Sequence, residues 1–346
     1  MRIVIASTIV PFVRGGGTAI VFDLTRAFQE RGHEVEQVLI PFHPSQETMT
    51  DQMLGLRLLD LEASADLFVA IRTPSYIIEH PNKVVWFIHH HRASFDLWPT
   101  GYRDLPLDRD GLQQRIHLFD ADNWHLRQAR RLFANSTVTA DRLRRFNGLD
   151  AEVLYPPLGD SSGFRCDSWG DYVFYPSRLV HIKRQVLLVE AMAQVQTDVR
   201  LVIAGAPRTP ADLERIERAI ERCGVGDRVD LLADWISEER KRDLFANALA
   251  CAYIPYDEDS YGYVSLEAFH SHKPVITCSD SGGTLELVED EVTGLVTEPN
   301  ASALADAFDR LHRNPAAARD MGEAGYERMR DLHITWDHVV NRLTAP

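Results

Sequence analysis

The chain of 346 residues is longer than one ordinary hydrophobic core supports, and its length fits two domains of roughly 150 residues each. Its apolar share of 45% and charged share of 25% are those of a soluble globular protein. A net charge of -14 argues against a general nucleic-acid or anionic-membrane binder, because phosphate binding needs a surface rich in Lys and Arg. A local basic pocket stays compatible with this charge.

The first half of the chain alternates short apolar runs with segments of helical spacing. The apolar runs predict buried strands of a parallel sheet at 2–7, 35–40, 65–71, 83–89 and 129–133. Helical spacing predicts helices at 18–31 and 139–146. Strand, helix and strand in this order form β-α-β units, whose ligands bind beyond the carboxyl ends of the strands.

A glycine-rich loop, Arg14 to Thr18, joins the first predicted strand to the first helix. Glycines let backbone amides approach an anion closely, and a helix N-terminus favours negative charge. Gly16 and Gly17 are therefore candidates to lie under a phosphate or near a sugar. A tight connection without a ligand is an equal alternative, because the full GxGxxG spacing and the lysine of a P-loop are absent.

Three adjacent histidines, His89, His90 and His91, stand at the end of the predicted strand 83–89. Neighbouring side chains on a strand diverge, so we do not expect them to converge on a metal ion. One buried histidine with exposed neighbours is the simplest interpretation. The other interpretation is a histidine at a strand end that faces a cleft and hydrogen-bonds a sugar hydroxyl or carries a proton.

The second half of the chain repeats the alternating pattern after a linker at 154–169, which is rich in Pro, Gly, Ser and Asp. Strands are predicted at 172–175, 200–204, 229–232, 250–254 and 274–277. Helices are predicted at 185–195, 210–223, 237–248, 264–271, 301–313 and 315–332. We therefore expect domains at 1–160 and 161–325, with a carboxy-terminal helical segment, 326–346, packing back on the first domain.

A basic turn follows the first strand of the second domain and carries Arg178 and Lys183. Arg offers a planar fork of donors and Lys a compact charge, and both suit a diphosphate. A solvated turn is the alternative. The position at the carboxyl end of a strand, in an otherwise acidic protein, favours an anion site.

The stretch 255–269 is the most specific in the sequence. Three consecutive acidic residues, 257–259, precede Gly262 at a predicted helix N-terminus, and Glu267 lies in the first turns of that helix. A carboxylate can accept hydrogen bonds from two vicinal hydroxyls of a ribose or hexose, and bare amides can hold phosphate oxygens. Ordinary helix capping is one alternative, and a divalent ion on the acidic run is another. A second glycine turn, 282–283, follows the next strand.

These stretches, in this order, resemble glycosyltransferase family four, a large retaining group. The resemblance runs from the Gly15-Gly16-Gly17 loop to Glu286 and is most specific in the carboxy-terminal half. It implies an α/β protein of the GT-B fold, with two Rossmann-like parallel-sheet domains facing across a cleft. One position departs from the family's E-x7-E motif, since Asp259 stands where the first glutamate is expected and Glu258 is one place too early.

The resemblance implies a role for each matching residue. Arg178 and Lys183 are expected to bind the donor diphosphate, Glu267 the ribose, and His89 to face the transferred sugar. Either Asp259 or Glu258 contacts the donor sugar. The expected catalytic residues are Arg178, Lys183, His89 and Asp259. The expected donor-binding residues are Gly16, Gly17, Glu258, Ser260, Tyr261, Gly262, Tyr263, Val264 and Glu267.

The activity that the resemblance implies is transfer of a hexose, with retention, from a GDP- or UDP-sugar to a saccharide, lipid-linked or small-molecule acceptor in surface polysaccharide or glycoconjugate synthesis. We expect no metal or cofactor, because the basic pair and helix amides supply the positive charge for the leaving group. No nucleic-acid partner is expected. A nucleotide-sugar epimerase or hydrolase, and a non-catalytic nucleotide-sugar-binding protein of the same fold, are the alternatives.

The expected location is the cytoplasm, and peripheral contact with the inner face of the membrane is left open. No apolar stretch approaches the roughly 20 residues that span a bilayer. The four cysteines, at 166, 223, 251 and 278, have no CxxC spacing and are expected to be buried, reduced thiols.

Overall fold

The computed structural model describes residues 1–12, 16–43, 45, 47–103 and 106–346. It divides the chain into two compact α/β units. Unit 1 comprises Met1–Gly159 and Ile334–Pro346, and unit 2 comprises Asp160–His333.

Among the described residues, unit 1 contains a six-stranded parallel sheet flanked by helices. Its strands are β1 (Arg2–Ile9), β2 (Glu34–Pro41), β3 (Leu67–Ala70), β4 (Lys83–Phe87), β5 (Arg131–Ala134) and β6 (Glu152–Val153). Its first four helices are α1 (Gly16–Glu30), α2 (Met49–Arg57), α3 (Arg109–Leu126) and α4 (Thr137–Asn147). The strand order is β2-β1-β3-β4-β5-β6. The order reverses between β1 and β3, which is where sheets of this kind bind ligands.

Continuous apolar runs form the central strands of unit 1 because helices cover both faces of the sheet. Every residue of β3 and β4 is buried. The core cluster beside them includes the fully buried Phe68, Tyr76 and Phe87. The apolar runs at 65–71 and 83–89 are thereby confirmed as strands, each shorter than predicted.

Unit 2 contains a second six-stranded parallel sheet among its described residues. Its strands are β7 (Tyr172–Pro176), β8 (Arg200–Ala204), β9 (Val229–Leu232), β10 (Ala250–Ala252), β11 (Val275–Cys278) and β12 (Gly294–Thr297). Its helices are α5 (Gln185–Met192), α6 (Pro210–Cys223), α7 (Glu238–Asn247), α8 (Gly262–His270), α9 (Ala301–Arg313) and α10 (Pro315–Asp331). The order β12-β11-β10-β7-β8-β9 places the topological switch point between β7 and β10.

The carboxy-terminal helix α11 (Trp336–Thr344) belongs to unit 1. The indole of Trp336 donates to the Leu158 carbonyl at 2.9 Å and meets the Trp86 ring edge-on at 6.4 Å. The unit-1 part of the tail begins at Ile334 and not at 326, because α10 continues to Asp331 within unit 2.

The four cysteines are free thiols. Cys251 and Cys278 are buried, as expected, but Cys166 and Cys223 are half-buried, so the expectation of four buried thiols is wrong for two of them. In the part of the chain that the structure describes, no helix combines the length and the apolar character needed to cross a bilayer.

Candidate active site

Three loops emerge side by side at the carboxyl edge of the unit 2 sheet. The loop after β7 carries Arg178 and Lys183, the loop after β10 leads to Gly262, and the loop after β11 contains the glycine pair 282–283. Since β7, β10 and β11 are neighbours in the sheet, these loops meet at the switch point. The structure therefore brings the candidate stretches of the second half together at one edge.

Lys183 lies in an ion pair with Glu258 at this edge. Its ammonium also donates to the Tyr253 hydroxyl at 2.7 Å, and that hydroxyl donates to Glu258 Oε2 at 3.3 Å. Burial, with the nearby Glu258 carboxylate, raises the pKa of Tyr253 well above its ordinary value, so the phenol stays protonated. Sequence reasoning placed Lys183 on a diphosphate and missed Tyr253, which stacks under the ammonium at 4.9 Å from the ring centre.

Arg178 shares the loop with Lys183 but is exposed. Its carbonyl accepts a hydrogen bond of 2.9 Å from Gln185 Nε2, which fixes the backbone of the turn to the start of α5. The structure therefore places Arg178 at the expected edge as an exposed residue.

Arg184 ties the three loops together. Its guanidinium forms a bidentate pair with Asp280, both bonds being 2.8 Å long, and donates to the carbonyls of Ile254 (2.7 Å) and Pro255 (2.8 Å). Planar, bidentate pairing of this kind is the strong form of an Arg–carboxylate contact. The sequence assigned no role to Arg184, because its partners lie some distance along the chain.

Glycines allow close packing in these loops, against a side-chain ring at Gly262 and against backbone at Gly282. Gly262 has a φ of +70°, and a Cβ there would lie 2.3 Å from the Tyr253 ring. Gly282 has a φ of +62°, and a Cβ there would lie 2.5 Å from the Glu258 carbonyl oxygen. Any side chain at either position would open the site.

Helix α8 begins at this edge, at Gly262, two residues before the predicted start at 264. Its N-cap residue, Tyr261, is buried and provides no side-chain cap, and Ser260 Oγ accepts only a long bond of 3.4 Å from the Gly262 amide. Tyr263 and Val264 occupy the first turn and are half-buried. The positive end of the helix dipole therefore lies beside the loops.

The two candidate carboxylates of the acidic run have different environments. Glu258 contacts Lys183 and Tyr253, whereas Asp259 is buried with an exposed fraction of 8%. The two side chains thus both lie in the loop after β10, and the geometry places Glu258 beside the basic residue.

Glu267 is buried in α8 and pairs with Lys241 of α7. The Lys241 ammonium donates to Glu267 Oε1 at 2.6 Å and lies 2.9 Å from Glu238. Burial raises the pKa of Glu267, and the Lys241 charge opposes that shift. Sequence reasoning missed Lys241, although its spacing of three and four residues from the buried Leu244 and Phe245 places it on the inner side of α7.

The carboxyl edge of the unit 1 sheet gathers residues from its own switch point. The Thr8 hydroxyl, in β1, donates to the Thr73 carbonyl at 2.9 Å, and the Thr73 hydroxyl donates to the His89 carbonyl at 2.9 Å. A Cβ on Gly17 would lie 3.4 Å from Arg72 Nε. Gly16 and Gly17 are the first residues of α1, whereas Arg14 and Gly15 of the predicted loop lie outside the described residues. Arg72 is a further cation that the sequence pattern did not reveal.

The histidine run does not continue the strand, because β4 ends at Phe87. His90 is buried against Phe87 and bonds Asn147 at 2.8 Å, and burial lowers the pKa of His90 to about 4. His89 and His91 are half-buried, so the expectation of exposed neighbours is wrong. His89 Nδ1 lies 2.6 Å from the His90 carbonyl. Within the described ranges, no group of three or more His, Cys, Asp or Glu side chains is placed to hold a metal ion.

Comparison with known proteins points to one family. Residues 167–328 match the model of the family described as glycosyl transferases group 1. The alpha-maltose-1-phosphate synthase of Mycolicibacterium smegmatis is 31% identical over 212 residues, which are 57% of this chain and 54% of that protein. The chain spans about half the length of the curated relatives it matches.

Two solved structures are similar over nearly the whole chain. The sucrose-phosphate synthase of Thermosynechococcus elongatus matches 99% of this chain and 97% of its own, with a TM-score of 0.79 and 20% identity. Anabaena Alr3699/HepE, crystallised in complex with UDP and glucose, matches 100% of both chains, with a TM-score of 0.75 and 18% identity. At these identities the likeness shows the fold alone, and it confirms the expected GT-B fold.

Proposed function

We propose, from the match of residues 167–328 to the model of the group 1 glycosyl transferases, that this chain moves a hexose from a nucleotide-diphosphate sugar to an acceptor, with unit 2 holding the donor. The observation that carries the proposal is the meeting of Lys183, Glu258 and the start of α8 at the switch point of unit 2. Positive charge and helix amides suit a diphosphate at this edge.

The chemistry follows from the charge that develops on the departing nucleoside diphosphate. Preorganised cations and amides stabilise that charge in the transition state, and we assign this role to Arg178, Lys183 and the first turn of α8. We assign the sugar contact to Asp259 or Glu258 and a contact on the transferred sugar to His89. The proposed reaction retains configuration by front-face attack and uses no metal or cofactor.

The donor base is either uracil or guanine. Because the structure of Alr3699/HepE contains UDP and glucose, UDP is the first nucleotide to test. A ligand that binds only the native state raises the melting temperature, so a thermal-shift comparison of UDP with GDP identifies the base. We expect a clear rise with UDP, and a chain that responds to neither nucleotide contradicts the donor assignment.

The proposed acceptor is a saccharide, a lipid-linked sugar or a small molecule, and the proposed setting is the cytoplasm, with peripheral contact at the inner membrane face. An assay of donor turnover in the absence of acceptor separates transfer from the alternatives. Turnover that needs no acceptor favours an epimerase or hydrolase. Tight donor binding without turnover in an acceptor screen favours a non-catalytic binding protein.

Replacing Glu258 by glutamine should tighten UDP binding. The Glu258 carboxylate pairs with Lys183 and repels a diphosphate at the same edge, so its loss releases the ammonium. We expect a gain of about 1 kcal/mol, or roughly fivefold in Kd, measured by titration calorimetry. A variant that binds UDP more weakly than the parent shows instead that Glu258 itself contributes to the nucleotide site. Asp259→Asn is the companion variant, since a fall in its turnover assigns the sugar contact to Asp259.

A further inference from the structure

Glu267 has one oxygen occupied and one open. Its side chain is buried, with an exposed residue fraction of 8%, and Oε1 accepts the Lys241 ammonium at 2.6 Å. Among the residues that the structure describes, no donor reaches Oε2, yet Oε2 is not sealed from solvent. A largely buried carboxylate oxygen without a donor is costly unless a ligand or water meets it.

Four titratable groups act on Glu267 from the elements packed against it: Lys241, Glu238 and Arg242 of α7, and Cys251 of β10. Lys241 is the one in direct contact. Although burial works in the opposite direction, its contacts with Glu267 and Glu238 raise the pKa of Lys241, so it stays charged.

Loss of Lys241 leaves burial and the Glu238 charge, both of which raise the pKa of Glu267, and they outweigh the smaller opposing effect of Arg242. The carboxyl then takes up a proton at a higher pH than in the native chain. A protonated carboxyl loses acceptor capacity towards a pair of hydroxyls. The open Oε2 therefore depends on Lys241 for its ability to accept.

We propose that Lys241 is a positioning residue for nucleotide recognition, which keeps Glu267 ionised and turned so that Oε2 accepts a ribose hydroxyl. This inference rests on the proposed function, since it takes Glu267 as the expected ribose contact of the same donor site and adds the role of Lys241. Lys241 acts through Glu267 and not by touching the nucleotide.

The experiment measures the binding of UDP and 2′-deoxy-UDP to the full chain by calorimetry at about pH 6, 7 and 8.5. We expect Lys241→Met to weaken UDP binding about tenfold at neutral pH. The loss of UDP affinity should grow at the lower pH and shrink at the higher pH, because Glu267 regains its charge as pH rises through its raised pKa. Affinities are compared as ratios to the parent chain at each pH, so titration of the UDP phosphate cancels.

Two further variants and one further ligand serve as controls for general damage to the protein. Lys241→Arg keeps the charge and should restore most of the affinity. Arg240→Met removes an exposed charge from the same helix and should bind UDP like the parent. With 2′-deoxy-UDP the effect of Lys241→Met should be much smaller, since one hydroxyl of the contact is already missing.

Two outcomes overturn the inference while leaving the donor site intact. One is a Lys241→Met chain that binds UDP like the parent at every pH, and the other is an equal loss for both nucleotides with no pH dependence. A parent chain that binds neither UDP nor GDP overturns the proposed function, and this inference with it. If the parent prefers GDP, the same series of measurements with GDP and 2′-deoxy-GDP tests the inference.

Discussion

Lys183→Ala is expected to lower kcat about 10²–10³-fold with the fold retained, because removal of one preorganised positive group from a developing anion has an effect of this size. The ammonium lies at the switch point of unit 2, with a side-chain exposure of 13%. A charge at such a partly desolvated site acts more strongly on a diphosphate than a charge in open solvent. Steady-state assays with a UDP-sugar, together with a melting curve, measure the effect.

The matched control for Lys183→Ala is Arg200→Ala. Arg200 begins β8 in the same sheet, and its pair with Asp230 is exposed at the opposite edge of that sheet. Its replacement should leave turnover within a factor of about two, since exposed pairs contribute little. Equal activity of the Lys183 variant and the parent would falsify the assignment of Lys183 to the leaving group.

Arg184→Met is expected to lower the free energy of unfolding by about 2–3 kcal/mol, because it removes charge-assisted hydrogen bonds to Asp280 and two carbonyls. The side chain is only 11% exposed, so water replaces these bonds poorly. Activity should fall as well, since the loops after β10 and β11 lose their common support. Urea denaturation followed by circular dichroism measures the stability.

Arg200→Met is the comparison for Arg184→Met, since it breaks an Arg–Asp pair in which both side chains are more than 40% exposed. Its cost should be about 0–1 kcal/mol. If the two variants lose the same stability, Arg184 is an ordinary surface cation and does not hold the loops.

Much of the second half was predictable from the sequence because its elements have strong local signals. Helix α6 begins with Thr209 as a cap and a proline and ends at Gly224, and its bounds agree with the prediction. Capping residues and glycines act on positions only a few residues away, so the start and end of such a helix can be predicted from the local sequence.

Four elements of weak local pattern, α2, α3, β6 and β12, were missed. Helix α3 turns Gln114 and Asp122 towards the core, so its inner face lacks the apolar spacing that identifies a helix. Strand β12 is four residues long and only partly buried, and nothing in so short a run distinguishes it from a loop.

The residues of the candidate site were named from the sequence, but their pairings were not. The carboxyl ends of strands and the family resemblance placed Lys183, Gly262 and Glu267 at one edge. The partners of these residues depend on which loops the sheet order brings together, and that information is not local. Consequently, only the three-dimensional structure identifies the contacts of Tyr253, Arg184 and Lys241.

The polypeptide passes between the two units twice, once at Gly159 and again at Ile334. Unit 2 is therefore one uninterrupted stretch of sequence, whereas unit 1 is discontinuous and needs its last helix supplied separately. A fragment ending at residue 159 would uncover the Trp86 side of its sheet by losing Trp336. Excision of 160–333 is thus the natural route to the half that contains Lys183 and Glu267, and a short linker from Gly159 to Ile334 is the natural route to the other half.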